Sequence, residues 1–326
     1  MEYRNFQDAY LSELEKVYKN PDFINQPRGF KSKECLGCSF TIQNPIDRVC
    51  YLSCRKTNII FNFAEALWYL SGSNSLEFIS YYARNMKKYS SDGKILTGTA
   101  YGPKIFGFGL NRINQWERVI NILKQDPDSK RAFIEIFDAN ENLYLDNIDV
   151  TCTIGLQFFV REGYLHMCVF MRANDAYRGV VSDIFSFSLL QEIMATEMNL
   201  KIGTLRHNVG TYHIYEPDNK MAERIIEEGK SYQKESCYSF PQMPNKNNWS
   251  DIRYVIDIEE KLRIRRISIN EEDIHDMEVD PYWKQVITLL AIYQGIYYEN
   301  RFNEGLLNYL QPVYKYLVEN KWKELL

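Results

Sequence analysis

"MRANDAYRGVVSDIFSFSLLQE", Met171 to Glu192, decides how this chain is read. It opens on the end of an apolar run, "YLHMCVFM", that reads as a strand. It closes on "DIFSFSLLQE", the start of a long apolar helix. Between them stand a charge pair, Arg172 and Asp175, and a short loop with Gly179. A second acid, Asp183, lies where the loop enters the helix. A carboxylate at the mouth of a hydrophobic segment must be paired or protonated, because burial penalises its charged form. The bland account of Asp183 is a helix cap, a common use of Asp.

Around this stretch, strands and helices interleave. "FQDAYLSELEKVYKN" (6–20) has helical periodicity and stops before Pro21. "NQPRGFKSKECLGCSF" (25–40) reads as a polar loop entering a strand. "NIIFNFAEALWYLSG" (58–72), "SLEFISYYARNMKKY" (75–89) and "INQWERVINILKQD" (113–126) read as helices. "DSKRAFIEIF" (128–137) is a loop feeding a strand. "TIGLQFFV" (153–160) and "YLHMCVFM" (164–171) are a strand pair joined at Glu162-Gly163. "KIGTLRH" (201–207) and "YHIYEP" (212–217) read as strand and loop, and "KLRIRRIS" (261–268) as a late strand. From Pro281 onward two amphipathic helical patterns follow. The expectation is one α+β domain over residues 1–280, with residues 281–326 as its helical extension.

Composition narrows the function. The chain has 326 residues, 45% apolar and 25% charged, which is ordinary globular usage. A net charge of −4 argues against general nucleic-acid binding, which favours a basic face. It leaves room for a small anion held by a few local Arg and Lys. The apolar runs are too short to span a membrane, and "MEYRNFQDAY" has no signal-peptide core. Seven irregularly spaced Cys fit a reducing cytoplasm better than a disulfide framework.

Several side chains carry chemistry, each with a plain structural alternative. Cys152, in "DVTCTIG", suits a nucleophile if cations lower its thiol pKa; buried free Cys is also common. Arg28, Arg131 and Arg172 sit in polar surroundings and suit phosphate through the guanidinium fork, or are solvated surface charges. Glu65, inside "FNFAEALWYL", suits general acid–base work if burial raises its pKa, or else makes an ion pair. His213 and Tyr215 lie two apart, so on a strand they share a face and could bind a sugar, or simply pack. Cys35, Cys38, Cys50 and Cys54 could bind zinc as four thiolates, but no turn-forming Gly follows Cys38, and metal is not expected.

The order of these residues is more telling than any one of them. Arg28, Glu65, Tyr101, "DPDSKR", Cys152, "MRANDAYRGVVSDIFSFSLL" and "YHIY" together resemble the thymidylate synthase family over roughly residues 5 to 230. The resemblance implies an α/β homodimer in which two large twisted sheets stack across the interface. It implies Cys152 as the nucleophile on C6 of a pyrimidine, Glu65 as the carboxylate that manages protons, and Tyr101 as an aid to elimination. It implies phosphate binding by Arg28 and Arg172, and by Lys130 and Arg131 reaching in from the partner subunit. His213 and Tyr215 would hold the sugar, with Ala173 beside it. Asp175 would contact the pterin ring of the co-substrate, 5,10-methylenetetrahydrofolate.

Asp183 falls where the family reads the base with an asparagine. An amide accepts from N3–H of uracil and donates to O4. A carboxyl that accepts from the N4 amino group and shares a proton with N3 instead suits cytosine. The replacement is similar to that in the cytidylate hydroxymethylases of the same family. Ala173, where the family has Ser, and Lys130, where it has Arg, resemble the CMP enzymes of the mildiomycin and bacimethrin pathways. Other departures are Thr153 after the nucleophile, "VSD" for "PFN", and Met86 and Tyr89 where a Trp pair commonly lines the folate site. The expected activity is 5-hydroxymethylation of CMP. The alternatives are a dCMP hydroxymethylase, a (d)UMP methylase, or a non-enzymatic descendant that binds nucleotide or RNA.

Overall fold

The computed structural model describes residues 1–142, 147–232 and 238–326. Its strands are β1 (Glu2–Tyr3), β2 (Phe23–Asn25), β3 (Ser32–Ile42), β4 (Phe133–Glu135), β5 (Thr153–Arg161), β6 (Tyr164–Asp175) and β7 (Lys201–Tyr215). They form one mixed sheet in the order β1-β3-β7-β6-β5-β4, with β2 added on β3. β6 and β7 run parallel, so a crossover must join them. Among the twelve α-helices of the described residues, that crossover is the sixth. They are α1 (Phe6–Lys19), α2 (Ile59–Leu70), α3 (Leu76–Tyr82), α4 (Tyr101–Phe106), α5 (Gln115–Gln125), α6 (Gly179–Glu197), α7 (Asn219–Ser231), α8 (Trp249–Arg263), α9 (Glu271–Asp276), α10 (Pro281–Glu299), α11 (Glu304–Tyr309) and α12 (Pro312–Lys321).

α6 is apolar nearly all round and is accordingly buried on nearly all sides, against β6, β7 and α2. Phe63 of α2 meets Phe185 of α6 edge to face at 4.9 Å, a pairing worth about 0.5–1.5 kcal/mol beyond its buried area. The buried Arg48–Glu192 ion pair ties α6 to the loop after β3, and Glu192 also accepts the Met243 amide at 2.8 Å. Asn58 caps α2 by accepting the Phe61 N–H.

One feature of the sheet positions the site. In the first part of β6 the buried residues are Leu165, Met167, Val169 and Met171; the next buried residue is Asn174. In β7 burial runs through Leu205, His207 and Val209, then skips to Tyr212 and Ile214. In β3 it runs back from Ile42, Phe40 and Cys38 to Cys35. These skips are in register: Cys38, Val209 and Met171 lie side by side, and so do Cys35, Tyr212 and Asn174. Three neighbouring strands therefore exchange their inward and outward faces along one line. β5 adds an irregularity at Ile154, between Thr153 and Gly155. Glycines stand on the line for two reasons: Gly37 is in the left-handed region at φ 61°, and a Cβ on Gly210 would lie 2.7 Å from the Arg172 carbonyl oxygen.

Four readings of the sequence are corrected. Residues 201–217 are no strand plus loop: 201–215 are the single strand β7, because the face switch hides its continuity from a period-2 pattern. "KLRIRRIS" is no strand: its first residues end α8, with Arg265 in the left-handed region at φ 57°. The helix expected over 75–89 stops at Tyr82 and is followed by a 3-10 turn over Arg84–Tyr89. The C-terminal segment holds three α-helices, and their inward faces join the main core. Trp283 is fully buried and donates to Asn248 at 3.0 Å, Tyr314 lies 6.0 Å from Phe63, and Tyr316 donates to the Tyr51 carbonyl at 2.8 Å.

Candidate active site

Cys152 ends the loop that enters β5. That loop is held from behind by a residue the sequence reading missed. The buried carboxylate of Asp149 accepts the backbone N–H groups of Thr97, Gly98 and Thr99 at 2.8–3.0 Å. Thr151 donates to the Gly98 carbonyl at 2.6 Å. The two loops are so close that a Cβ on Gly98 would sit 1.7 Å from the Asp149 carbonyl oxygen. This clamp sets Cys152 beside Tyr101, the first residue of α4. Tyr101 receives a 3.0 Å hydrogen bond from Thr153 and stacks on Tyr69 at 4.8 Å.

Arg172 lies on the face-switch line of β6. Its backbone N–H bonds the Cys152 carbonyl at 2.9 Å, and its guanidinium donates to the Thr151 and Val150 carbonyls and reaches Cys152 Sγ at 3.7 Å. Arg172 and Arg28 both favour the Cys152 thiolate, but burial outweighs them, with Asp183 adding to it, and pushes the thiol up. The cationic neighbours on which a lowered thiol pKa depends are present, but the net direction is upward. Arg28 itself is exposed, in a left-handed conformation at φ 52°.

Two acids share the interior of the site. Glu65 is buried on α2, accepts from Ser186 at 3.3 Å, and is pushed up to about 8 by desolvation and then by the charge of Asp183. Asp183 is pushed up to about 7, again by desolvation first, opposed by a hydrogen bond from Asn174. Both are therefore poised to hold protons near neutral pH. Asp183 lies in the second turn of α6, whose N-cap is Arg178, so it does not cap the helix. Its neighbour Asn174 is turned inward by the face switch and donates to Asp183 Oδ2 at 2.5 Å. Asn174 also bonds the buried His207 at 3.2 Å. Neither partner was legible from the sequence, where alternation along β6 points Asn174 the other way.

The remaining candidates distribute as follows. His213 and Tyr215 share one face at the end of β7, with ring centroids 5.0 Å apart. Ala173 pairs with Thr211 in the sheet. Asp175 closes β6, and its Oδ1 accepts the Tyr177 and Arg178 amides at 2.8 Å. Lys130 and Arg131 are exposed in the loop between α5 and β4. Among the described residues, no group of three or more His, Cys, Asp or Glu gathers as a metal site. No helix there is long and apolar enough to cross a membrane. A cleft of about 660 Å³ beside Arg4, Asp47 and Tyr238 includes none of these residues.

The arrangement brings a thiol, an arginine and two protonatable acids into one electrostatic neighbourhood with Tyr101. Comparison with known proteins agrees in kind. The family model described as thymidylate synthase matches residues 8–282. A deoxyuridylate hydroxymethyltransferase of Bacillus phage SP01 is 31% identical over 219 residues, covering 64% of this chain and 57% of that protein. One of Pseudomonas phage M6 is 30% identical over 174 residues, covering 53% and 49%. A thymidylate synthase of Francisella tularensis subsp. holarctica is 28% identical over 236 residues, covering 67% and 82%. The chain spans about half the length of the hydroxymethyltransferases it matches.

Proposed function

Because the chain belongs to the thymidylate synthase family, we propose that it is a folate-dependent one-carbon transferase acting on C5 of a pyrimidine nucleotide. We infer the nucleotide to be CMP and the product 5-hydroxymethyl-CMP. The observation that carries this reading is the acid at the base-reading position. Asp183 is a half-buried carboxyl whose pKa desolvation pushes up to about 7, in the same neighbourhood as Cys152 and Glu65. In that state it offers both an acceptor for the N4 amino group and a proton for N3 of cytosine.

The other residues take roles around it. Arg28 and Arg172 hold the phosphate, with Lys130 and Arg131 supplied by a second copy of the chain in a homodimer. Exposed Leu36 and Ile154 on the outer face of the sheet support such a partner. His213 and Tyr215 hold the sugar, and the small side chain of Ala173 leaves room for a 2′-hydroxyl. Cys152 Sγ bonds to C6 and is released at the end, which makes C5 a nucleophile in between. Glu65 and Tyr101 move the protons that this addition and release require. Methylenetetrahydrofolate supplies the carbon, at the oxidation level of formaldehyde, and water supplies the hydroxyl. Nucleotide, co-substrate and water thus balance hydroxymethylated nucleotide and tetrahydrofolate. Asp175 fits the pterin: with Oδ1 taken by two backbone amides, Oδ2 is left to accept from a ring N–H. No metal takes part, and the setting is the cytoplasm.

The test is incubation with methylenetetrahydrofolate and each of CMP, dCMP, UMP and dUMP, with products weighed by mass spectrometry. A hydroxymethyl gain on CMP, abolished in Cys152→Ala, is expected. No gain on any nucleotide overturns the activity. A hydroxymethyl gain confined to dUMP favours a second reading, a deoxyuridylate hydroxymethyltransferase, which is what the phage relatives are named.

A further inference from the structure

A carboxyl group that keeps its proton is not selective between the two pyrimidines. With its hydroxyl facing N3 and its carbonyl facing the C4 substituent, it pairs with cytosine. With the proton on the other oxygen, the same side chain pairs with uracil, accepting from N3–H and donating to O4. If Asp183 chooses the base, something must decide which oxygen is the acceptor.

Building on the cytosine reading above, we propose that Asn174, itself fixed by His207, is the positioning residue that assigns acceptor and donor roles to the two oxygens of Asp183. The amide Nδ2 is a donor only, and it points at Asp183 Oδ2 from 2.5 Å. An amide N–H donates far better to a carbonyl oxygen than to a hydroxyl, so Oδ2 is the acceptor and the proton belongs to Oδ1. In the proposed orientation Oδ2, with a lone pair to spare, accepts from the C4 amino group and Oδ1–H donates to N3; the reverse orientation would select uracil instead.

This assignment would be lost if the amide turned over. His207 prevents that. The ring is fully buried and stays neutral, because desolvation pushes its pKa down to about 3. Its Nε2 meets Asn174 Oδ1 at 3.2 Å, while its Nδ1 has no hydrogen-bond partner among the described residues. A proton on Nδ1 would leave a buried donor unpaired; a proton on Nε2 is satisfied by Asn174. The Nε2–H tautomer therefore holds Oδ1 of the amide toward the histidine and Nδ2 toward Asp183. Packing allows little else: Asn174 is 3% exposed, and a Cβ on Gly179 would lie 3.3 Å from Nδ2 and 3.4 Å from Asp183 Oδ2.

The experiment compares kcat/KM for CMP and UMP in the full-length protein and three variants. Asn174→Ala is expected to lower the CMP-to-UMP ratio about 10-fold or more, and His207→Phe, which keeps a ring but no N–H, to lower it in the same direction. Asn174→Ser, which retains a donor, should keep more of the ratio than Asn174→Ala. A purely structural role would reduce both activities together and leave the ratio in place, and that result overturns the proposal. If Asn174→Ala does not fold, His207→Phe decides in the same way. A wild-type preference for CMP that survives the substitutions removes this inference alone. A wild type without that preference removes the reading of Asp183 and this inference with it.

Discussion

The Asp183 carboxyl has an amide donor at 2.5 Å, and the acids Asp175 and Glu65 as electrostatic neighbours. Burial raises its pKa from the ordinary 3.8 to about 7. The folded chain therefore binds this proton more tightly than the unfolded chain does. Between about pH 4 and pH 7 the native state holds more protons, so stability falls as pH rises through that window. Glu65 acts in the same direction, from 4.5 to about 8. An amide at position 183 has no charge to desolvate. Asp183→Asn should thus raise the Tm of the ligand-free protein, by more at about pH 8 than at about pH 5. A thermal melt series across pH checks this; an equal effect at both ends would mean that Asp183 titrates normally. At this scale the sequence was informative about residue types. Cys152, Glu65 and Asp183 could be singled out because an acid or thiol in apolar company needs a reason. Asn174, His207 and Asp149 could not, because each acquires its role from a partner 9 to 52 residues away.

At the scale of elements, the in-register face switch across β3, β7 and β6 does what no single strand could do. It turns Asn174 inward while leaving Arg172, two residues earlier, on the exposed side near Cys152. Period-2 alternation located β5 and most of β6 correctly, since those stretches are regular. It failed along β7, where a skipped residue breaks the pattern while the hydrogen-bonded ladder continues. Gly210 makes the switch testable. A methyl group there would be 2.7 Å from the Arg172 carbonyl, so one strand must yield. Gly210→Ala is expected to cost about 1–3 kcal/mol in denaturant unfolding, the usual cost of overpacking. Because Arg172 moves with that carbonyl, the variant should also raise the KM for nucleotide. Unchanged stability and KM would show that the face switch is not what places the arginine.

Over the whole molecule, the α/β class was legible from the interleaved patterns, and the family from the order of a few polar residues. The three C-terminal helices were not legible as part of the core. Their buried faces, Trp283 and Tyr314 among them, complete the packing around α2, the helix that carries Glu65. The chain thus surrounds its two acids with apolar layers from both halves of the sequence, which is why both resist ionisation. The claim on which the functional account turns is that Asp183 chooses the base, and it is tested most directly by exchanging that residue. The ratio of kcat/KM for CMP to that for UMP should favour CMP in the wild type and shift toward UMP by about 10–100-fold in Asp183→Asn, the scale of a buried mispaired polar contact. An unchanged ratio in a folded, active variant would contradict the account.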